Sequence, residues 1–156
     1  MTMIQHSTLI TAALLILLLP CGCASDAKQE ADNLLKNAES LYNRGLYEQA
    51  LLSLDSLRHI YPNAIEARKR GLRLKQSIAL KQAQADLAVT DSALQAVSAD
   101  YAYQRDKVER DRANLRATKE ELDMLARTKM VRDSLQVRFD VQCAKIKYIH
   151  KRQKED

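Results

Sequence analysis

Apolar and polar residues alternate with helical spacing along most of the chain. Within residues 31–42 the apolar side chains recur at intervals of three and four, which places them on one face of an amphipathic helix. Gly45 interrupts this pattern, and a second apolar stripe over residues 47–57 stops before Pro62. Because Gly favours helix ends and Pro inside a helix removes a hydrogen bond, the pattern predicts two helices joined by a tight turn.

The spacing within residues 38–62 resembles a tetratricopeptide repeat. The matching positions are Ala38, Leu41, Tyr42, Gly45, Tyr47, Ala50, Leu54, Leu57 and Pro62. Ala38 and Ala50 are expected to let two antiparallel helices approach closely, while Tyr47 and Leu54 fill the remaining space. The segment is similar to the repeats of outer-membrane assembly and cell-envelope coordinator lipoproteins. The resemblance implies a scaffold for protein contacts.

The pattern after Pro62 predicts a third helix that is longer than a repeat helix, because no second Gly turn follows at the repeat's spacing. From this helix onward, apolar residues recur at every seventh position: Leu80, Leu87, Leu94, Tyr101, Val108, Leu115 and Leu122. The companion positions of this seam begin as Ala83, Thr90 and Val97 and continue as the polar Gln104, Asp111 and Thr118. A half-filled heptad pattern favours two helices folded back on each other within one chain. Pairing between two chains is the alternative.

A chain that folds back needs a bend, and two sites offer one. Residues 98–100 bring capping side chains together, and residues 118–121 have the form of a capping box. Both sites could also face solvent on one continuous helix. A final helix is predicted over residues 129–151, with an apolar stripe of Val131, Leu135, Phe139, Ala144, Ile146 and Ile149.

The amino terminus carries an apolar run at residues 9–20 that is too short to span a bilayer as a helix. It is typical of a secretory signal peptide. Cys21 and Cys23 follow directly, before the chain turns polar at Asp26, and this arrangement resembles a bacterial lipoprotein signal. The resemblance implies a lipid on Cys23, which the small Gly22 precedes, with Cys21 as the alternative. An ordinary secreted protein and a retained membrane helix are the other interpretations.

The predicted fold class is therefore all-α. The chain is predicted to begin with a signal peptide and its lipoprotein-type cysteine at 1–23, followed by a tether at 24–30. Next comes a tetratricopeptide-like helical unit at 31–78. The last segment, at 79–156, is a long helical, coiled-coil-like segment with a basic tail. Composition agrees with long solvated helices, because charged residues make up 29% of the chain and aromatic residues only 4%.

The residues indicate no catalytic, metal or cofactor site. His6, His59 and His150 lie far apart in the sequence, and Cys143 has no nearby cysteine. Cys143 is expected to be a thiol on a buried helix face, or else to form a disulfide between chains. The net charge of +5 comes from interspersed charges, so no nucleic acid partner is expected. The basic tail complements a helix dipole or, alternatively, contacts anionic lipid or nucleic acid.

These features predict a non-enzymatic, lipid-anchored adaptor of the bacterial cell envelope that binds other proteins. The predicted location is the periplasmic face of the outer membrane. The alternative is a self-assembling coiled-coil structural protein, and a homo-oligomer is possible in either case.

Overall fold

The structure, a computed structural model, describes residues 22–155 and the side chains of residues 25–155. This part of the chain contains four helices and no strand: α1 (Gly22–Asn43), α2 (Tyr47–Ile60), α3 (Ile65–Ala113) and α4 (Lys119–Glu155). The predicted all-α fold is confirmed. The chain divides into two units, of which the first ends at Leu74 and the second begins at Lys75.

In the first unit, α1 and α2 form an antiparallel hairpin whose inner face is apolar. Its buried residues are Ala31, Leu35 and Ala38 on α1, and Ala50, Leu54 and Leu57 on α2. Asn37 donates a hydrogen bond from its amide nitrogen to the Ser53 hydroxyl at 3.1 Å, which ties the two helices at the surface. The first turns of α3 complete the unit, because the Arg70 guanidinium lies 3.0 Å from a Glu39 carboxylate oxygen on α1.

The turn between α1 and α2 is a Schellman motif with Gly45 in the left-handed conformation, at φ 76°. The Leu46 amide donates to the Leu41 carbonyl and the Gly45 amide to the Tyr42 carbonyl, both at 2.9 Å. The motif thereby satisfies carbonyls that the end of α1 leaves without helical partners.

Residues 24–30, predicted as a tether, are helical and form the first turns of α1. The segment lacks an apolar stripe, which is why its pattern gave no helix signal, yet it contains no Gly or Pro to prevent one. A tertiary contact also holds it, since the Tyr61 hydroxyl donates to a Glu30 carboxylate oxygen at 2.5 Å. The predicted boundary at residue 78 lies four residues beyond the end of the first unit at Leu74.

In the second unit, α3 from Lys75 onward and α4 pack as a long hairpin, which confirms the predicted folding back. Gln104 accepts a hydrogen bond from the Thr128 hydroxyl at 3.0 Å, and the Lys107 ammonium pairs with Glu121. These cross-helix pairs fix an antiparallel register within one chain.

The hairpin turns at residues 114–118, beside the second predicted bend site. Thr118 and Glu121 form the capping box: the Thr118 amide donates to the Glu121 carboxylate at 3.0 Å, and the Glu121 amide donates to the Thr118 hydroxyl at 3.3 Å. Residues 98–100, the other predicted bend site, lie inside α3 without interruption. The last helix is longer than predicted, because the capping box starts it at Lys119 rather than at residue 129.

Most residues of the predicted seam are buried or half-buried, but Leu115 is exposed. Val108 is buried, and five members are half-buried: Leu80, Leu87, Leu94, Tyr101 and Leu122. Leu115 instead lies in the turn with φ 57° and is 96% exposed, because the helix ends before the heptad reaches it. The companion positions Ala83 and Thr90 are more buried than their leucine neighbours.

The predicted stripe on the last helix combined two different faces. Leu135, Phe139, Ile146 and Ile149 are half-buried or buried, as expected of the side that meets α3. Val131 and Ala144 are exposed. The spacing of Val131 and Ala144 agrees with the period of a helix, but neither residue lies on the face of α4 that contacts α3.

Candidate functional site

The first unit contains an open cleft of about 670 Å³ between the start of α1 and the α2–α3 turn. Eleven residues line it: Ala27, Lys28, Asp32, Ile60, Tyr61, Pro62, Asn63, Ala64, Ile65, Glu66 and Ala67. Clefts of this size and mostly apolar lining are typical of binding sites. The cleft is therefore the candidate functional site of the described residues.

Two exposed isoleucines give the cleft its apolar character. Ile60, the last residue of α2, and Ile65, the first residue of α3, are 61% and 70% exposed. Ala67, one of the lining residues, is by contrast buried against the rest of the unit. Two large aliphatic side chains on either side of one turn form a surface that an apolar group of a partner can cover.

The turn that separates the isoleucines is held by specific hydrogen bonds. Pro62 ends α2 because it has no amide hydrogen to continue the helical pattern. Its carbonyl accepts from the Arg68 guanidinium at 2.6 Å, and the Ala64 amide donates to the Tyr61 carbonyl at 3.1 Å. The positions of Ile60 and Ile65 are thus set by the backbone of the turn rather than by their own side chains.

Tyr61 joins the two walls of the cleft, because its hydroxyl donates to Glu30 on α1. The pKa of Tyr61 is raised above 10.0, first because Glu30 accepts its proton in a hydrogen bond and second because burial disfavours the phenolate. The rim carries both signs of charge, with Lys28, Asp32 and Glu66. The phenol is therefore a neutral donor, and mixed rim charges favour a polar, uncharged or zwitterionic partner surface over a strongly charged one.

The lining of the cleft contains no histidine, cysteine or serine. Among residues 25–155, no group of three or more histidine, cysteine or carboxylate side chains is placed to hold a metal ion. What the arrangement can do is accept an apolar side chain between Ile60 and Ile65 while polar rim groups orient the segment that carries it.

The structure places the predicted repeat residues on both sides of the hairpin core. Ala38, Ala50, Leu54 and Leu57 are buried, while Leu41, Tyr42 and Tyr47 are half-buried. The rings of Tyr42 and Tyr47 lie 5.7 Å apart between centroids, across the Gly45 turn. Pro62, of all the predicted repeat residues, also lines the cleft.

Gly71 is a packing residue that the sequence pattern did not single out. A Cβ at this position would lie 3.2 Å from Leu54 Cδ2 and 3.3 Å from Leu57 Cδ2. The absence of a side chain therefore lets α3 approach α2 closely. A Gly inside a helix, seven residues after Ala64, was the available signal, since Gly in a helix interior needs a compensating reason.

The other predicted sites lie away from the cleft. His59 is exposed on α2, and Cys143 is a half-buried free thiol on α4. The basic residues of the tail are exposed, and Lys151 and Arg152 pair with Glu155 at 3.8 and 3.4 Å. Residues 1–20 and Cys21 lie outside the described residues, and Cys23 lies in the first turn of α1.

None of the helices within residues 22–155 is both long and apolar enough to cross a membrane. Residues 22–155 thus form an all-helical fold made of a three-helix unit with a cleft and a long antiparallel hairpin. In comparisons with known proteins, no family model, no curated protein and no solved structure matches this chain.

Proposed function

We propose that this protein is a non-enzymatic adaptor that binds other proteins at the bacterial cell envelope. The observation that carries the proposal is the apolar cleft between Ile60 and Ile65, whose turn is fixed by hydrogen bonds to Arg68 and Glu30. A preformed apolar cleft binds a partner without first being ordered, which reduces the entropic cost of association.

The partner is a polypeptide segment with an exposed apolar side chain that enters the cleft. Hydrogen-bonding groups around the rim then orient its backbone, and the mixed charges of Lys28, Asp32 and Glu66 disfavour a nucleic acid. The tetratricopeptide-like spacing of residues 38–62 supports the same function, since such repeats serve as scaffolds for protein contacts.

The adaptor is held at the membrane by a lipid on Cys23, with Cys21 as the alternative, and faces the periplasm from the outer membrane. Support comes from the apolar run at residues 9–20 and from the abrupt change to polar residues at Asp26. In this arrangement the lipid determines the location of the protein, and the helical units provide the binding surface.

A photo-crosslinking amino acid placed at position 65 of the full chain tests the cleft in living cells. We expect a crosslinked product of higher mass, because a bound segment lies against Ile65. The same product should be lost when Ile60→Asp is added, since a carboxylate beside an apolar side chain is costly to desolvate.

Position 52 provides the matched control. Leu52 is exposed on α2 in the same unit and does not line the cleft. The crosslinker at position 52 should give no such product, and Leu52→Asp should leave the position 65 product intact. Equal products at both positions, or none at either, would contradict the proposed adaptor function.

The alternative function, self-assembly through the heptad seam, is less favoured. The seam faces α4 of the same chain, as the Gln104–Thr128 and Lys107–Glu121 pairs show. Self-association therefore needs a different surface.

A further inference from the structure

The outer face of α4 carries a second apolar row with heptad spacing. The row follows steps of four and three residues: Met130, Ser134, Val137, Val141, Ala144 and Tyr148. Its four large members are between 57% and 71% exposed. The row spans 18 helical steps, or about 27 Å, along one side of the helix.

This row is distinct from the face of α4 that meets α3. Thr128 and Arg132, which contact Gln104 and Tyr101 on α3, belong to the inner face. Each member of the outer row lies two positions after an inner-face residue, a rotation of about 200° around the helix. The hairpin therefore covers one heptad row of α4 and leaves a second one uncovered.

Single exposed apolar residues are ordinary, but a row at a and d spacing is the pattern of a helix that pairs with another helix. In heptad terms, Met130, Val137 and Ala144 occupy d positions, and Ser134, Val141 and Tyr148 occupy a positions. The small side chains of Ser134 and Ala144 allow the two helix axes to approach closely there.

The charges beside the row specify the partner helix and its direction. Asp133 and Asp140 occupy g positions, while Arg138 and Lys145 occupy e positions. In a parallel pair, each g residue faces the e residue five positions later on the other helix. Asp133 then meets Arg138 of the other copy, and Asp140 meets Lys145.

An antiparallel pair would bring equivalent positions together near its centre. Asp140 would then face Asp140 and Arg138 would face Arg138, which places like charges opposite each other. The charge pattern therefore favours a parallel pair of identical helices.

The charged groups can form these pairs between chains. Neither Arg138 nor Lys145 has an acidic partner within the described residues. Asp133 accepts from Arg132 at 2.6 Å and Asp140 accepts from Gln136 at 3.1 Å, and a carboxylate has further acceptor capacity. The next pair in the series, Lys147 and Arg152, is like-charged, so the complementary stretch ends at Tyr148.

We propose that the outer row of α4 is the docking surface for a second copy of this chain, in a parallel, two-fold symmetric pair. Two-fold pairing closes the assembly at a dimer, because each copy uses the same patch. The inference is independent of the adaptor function, since the cleft in the first unit takes no part in it.

Disulfide crosslinking of the full chain in cells tests the proposal. In a Cys143→Ser background, Val137→Cys should give a dimer on a non-reducing gel after mild oxidation, because d positions of a parallel pair lie opposite their own copies. The Cys143→Ser background alone measures any crosslinking through the other cysteines.

Val89→Cys on α3 is the matched control, because Val89 is an exposed valine on the other helix of the hairpin. We expect it to give at most a tenth of the Val137→Cys dimer. Equal crosslinking at both positions, or a dimer only through Val89→Cys, would overturn the proposal.

A charge exchange tests the direction of the helices. Asp140→Lys and Lys145→Asp should each reduce Val137→Cys crosslinking severalfold, and the double variant should restore it, because the pair re-forms between chains with its signs reversed. Residues five apart do not face each other on one helix, so the restoration cannot arise within a chain.

Two further results would also refute the parallel dimer. One is a double variant as weak as the single variants. The other is crosslinking between a Val137→Cys chain and a Val141→Cys chain without self-crosslinking of either, which would indicate an antiparallel pair.

Discussion

The guanidinium carbon of Arg132 on α4 lies 4.1 Å from the centre of the Tyr101 ring on α3. A cation over an aromatic face is attracted by the ring's electrons. This contact stabilises the charged Arg132 at a position of α4 that faces the seam on α3. It also explains why the half-filled heptad pairs within the chain, since Tyr101 finds a specific partner on α4. The Asp133 carboxylate accepts a hydrogen bond from the Arg132 guanidinium and raises the pKa of Arg132, so the guanidinium remains a cation.

Removal of either member of this pair should destabilise the hairpin, with a coupling between the two. Tyr101→Leu should lower the urea midpoint of the wild type by more than it lowers that of an Arg132→Gln variant. Tyr101→Phe, which keeps the ring, should retain most of the coupling. Urea unfolding followed by circular dichroism measures all of these variants, and strictly additive effects would contradict a cation–π contact.

Leu115→Gly should stabilise the protein. Leu115 occupies the left-handed position of the hairpin turn, which costs a residue other than Gly about 1–2 kcal/mol. Greater freedom of Gly in the unfolded chain offsets part of this, so we expect a gain of about 0.5–1 kcal/mol in the free energy of unfolding. If Leu115 were a buried seam residue, its truncation would instead cost about 2–5 kcal/mol. Denaturant titration distinguishes the two signs.

Gly71→Leu should destabilise the first unit by roughly 1–3 kcal/mol, because its side chain would have to displace Leu54 and Leu57. Lys69→Leu, at an exposed position of the same helix, is the control and should have little effect. Thermal melts of both variants provide the measurement. An unchanged melting temperature for Gly71→Leu would mean that α3 does not pack closely on α2.

The Lys107–Glu121 pair should make the hairpin turn sensitive to pH at both extremes. The hydrogen bond from Lys107, followed by that from the Thr118 amide, lowers the pKa of Glu121 below 4.5. The contribution of Glu121 to stability is present above pH 4.5 and is lost as the pH falls through the lowered pKa of Glu121. Hydrogen bonds to Glu121 and then Asp111 raise the pKa of Lys107 above 10.5. The contribution of Lys107 to stability is therefore present below pH 10.5 and is lost as the pH rises through the raised pKa of Lys107.

Urea midpoints of the wild type and Glu121→Gln measure this dependence. The difference between them should be full at about pH 7 and should shrink at a second, acidic pH below 4.5, because Glu121 becomes protonated as the pH falls through its lowered pKa. Asp123→Asn, which changes a nearby exposed carboxylate on the same helix, is the control. A difference that is the same at both pH values would show that the pair does not contribute.

Cys23→Ser should release the protein from the membrane fraction, because the proposed lipid anchor requires the Cys23 thiol. Fractionation of cells followed by immunoblotting measures the release. Retention of Cys23→Ser with release of Cys21→Ser would assign the lipid to Cys21. Retention of the double variant would refute the lipid anchor.

The sequence by itself determined the helical class and the turn at Gly45, and it indicated two candidate sites for the bend of the long hairpin, of which the structure uses the one at Thr118. Beyond Gly71 the chain has no Gly or Pro, so nothing in the last 85 residues breaks a helix strongly. Gly45 and the capping box at Thr118 are local signals, because their hydrogen bonds join residues no more than five positions apart. Such signals depend on short-range contacts and can be found in a sequence alone.

Only the tertiary structure decided which apolar rows meet each other. Leu115 continued the heptad spacing but lies in the turn, and Val131 and Ala144 fitted a helix period but face solvent. Periodicity identifies apolar rows on a helix, yet α4 has two of them, and the choice between the rows depends on the register with α3. The cleft between Ile60 and Ile65 and the role of Gly71 likewise arise from contacts between helices distant in sequence, which no local pattern encodes.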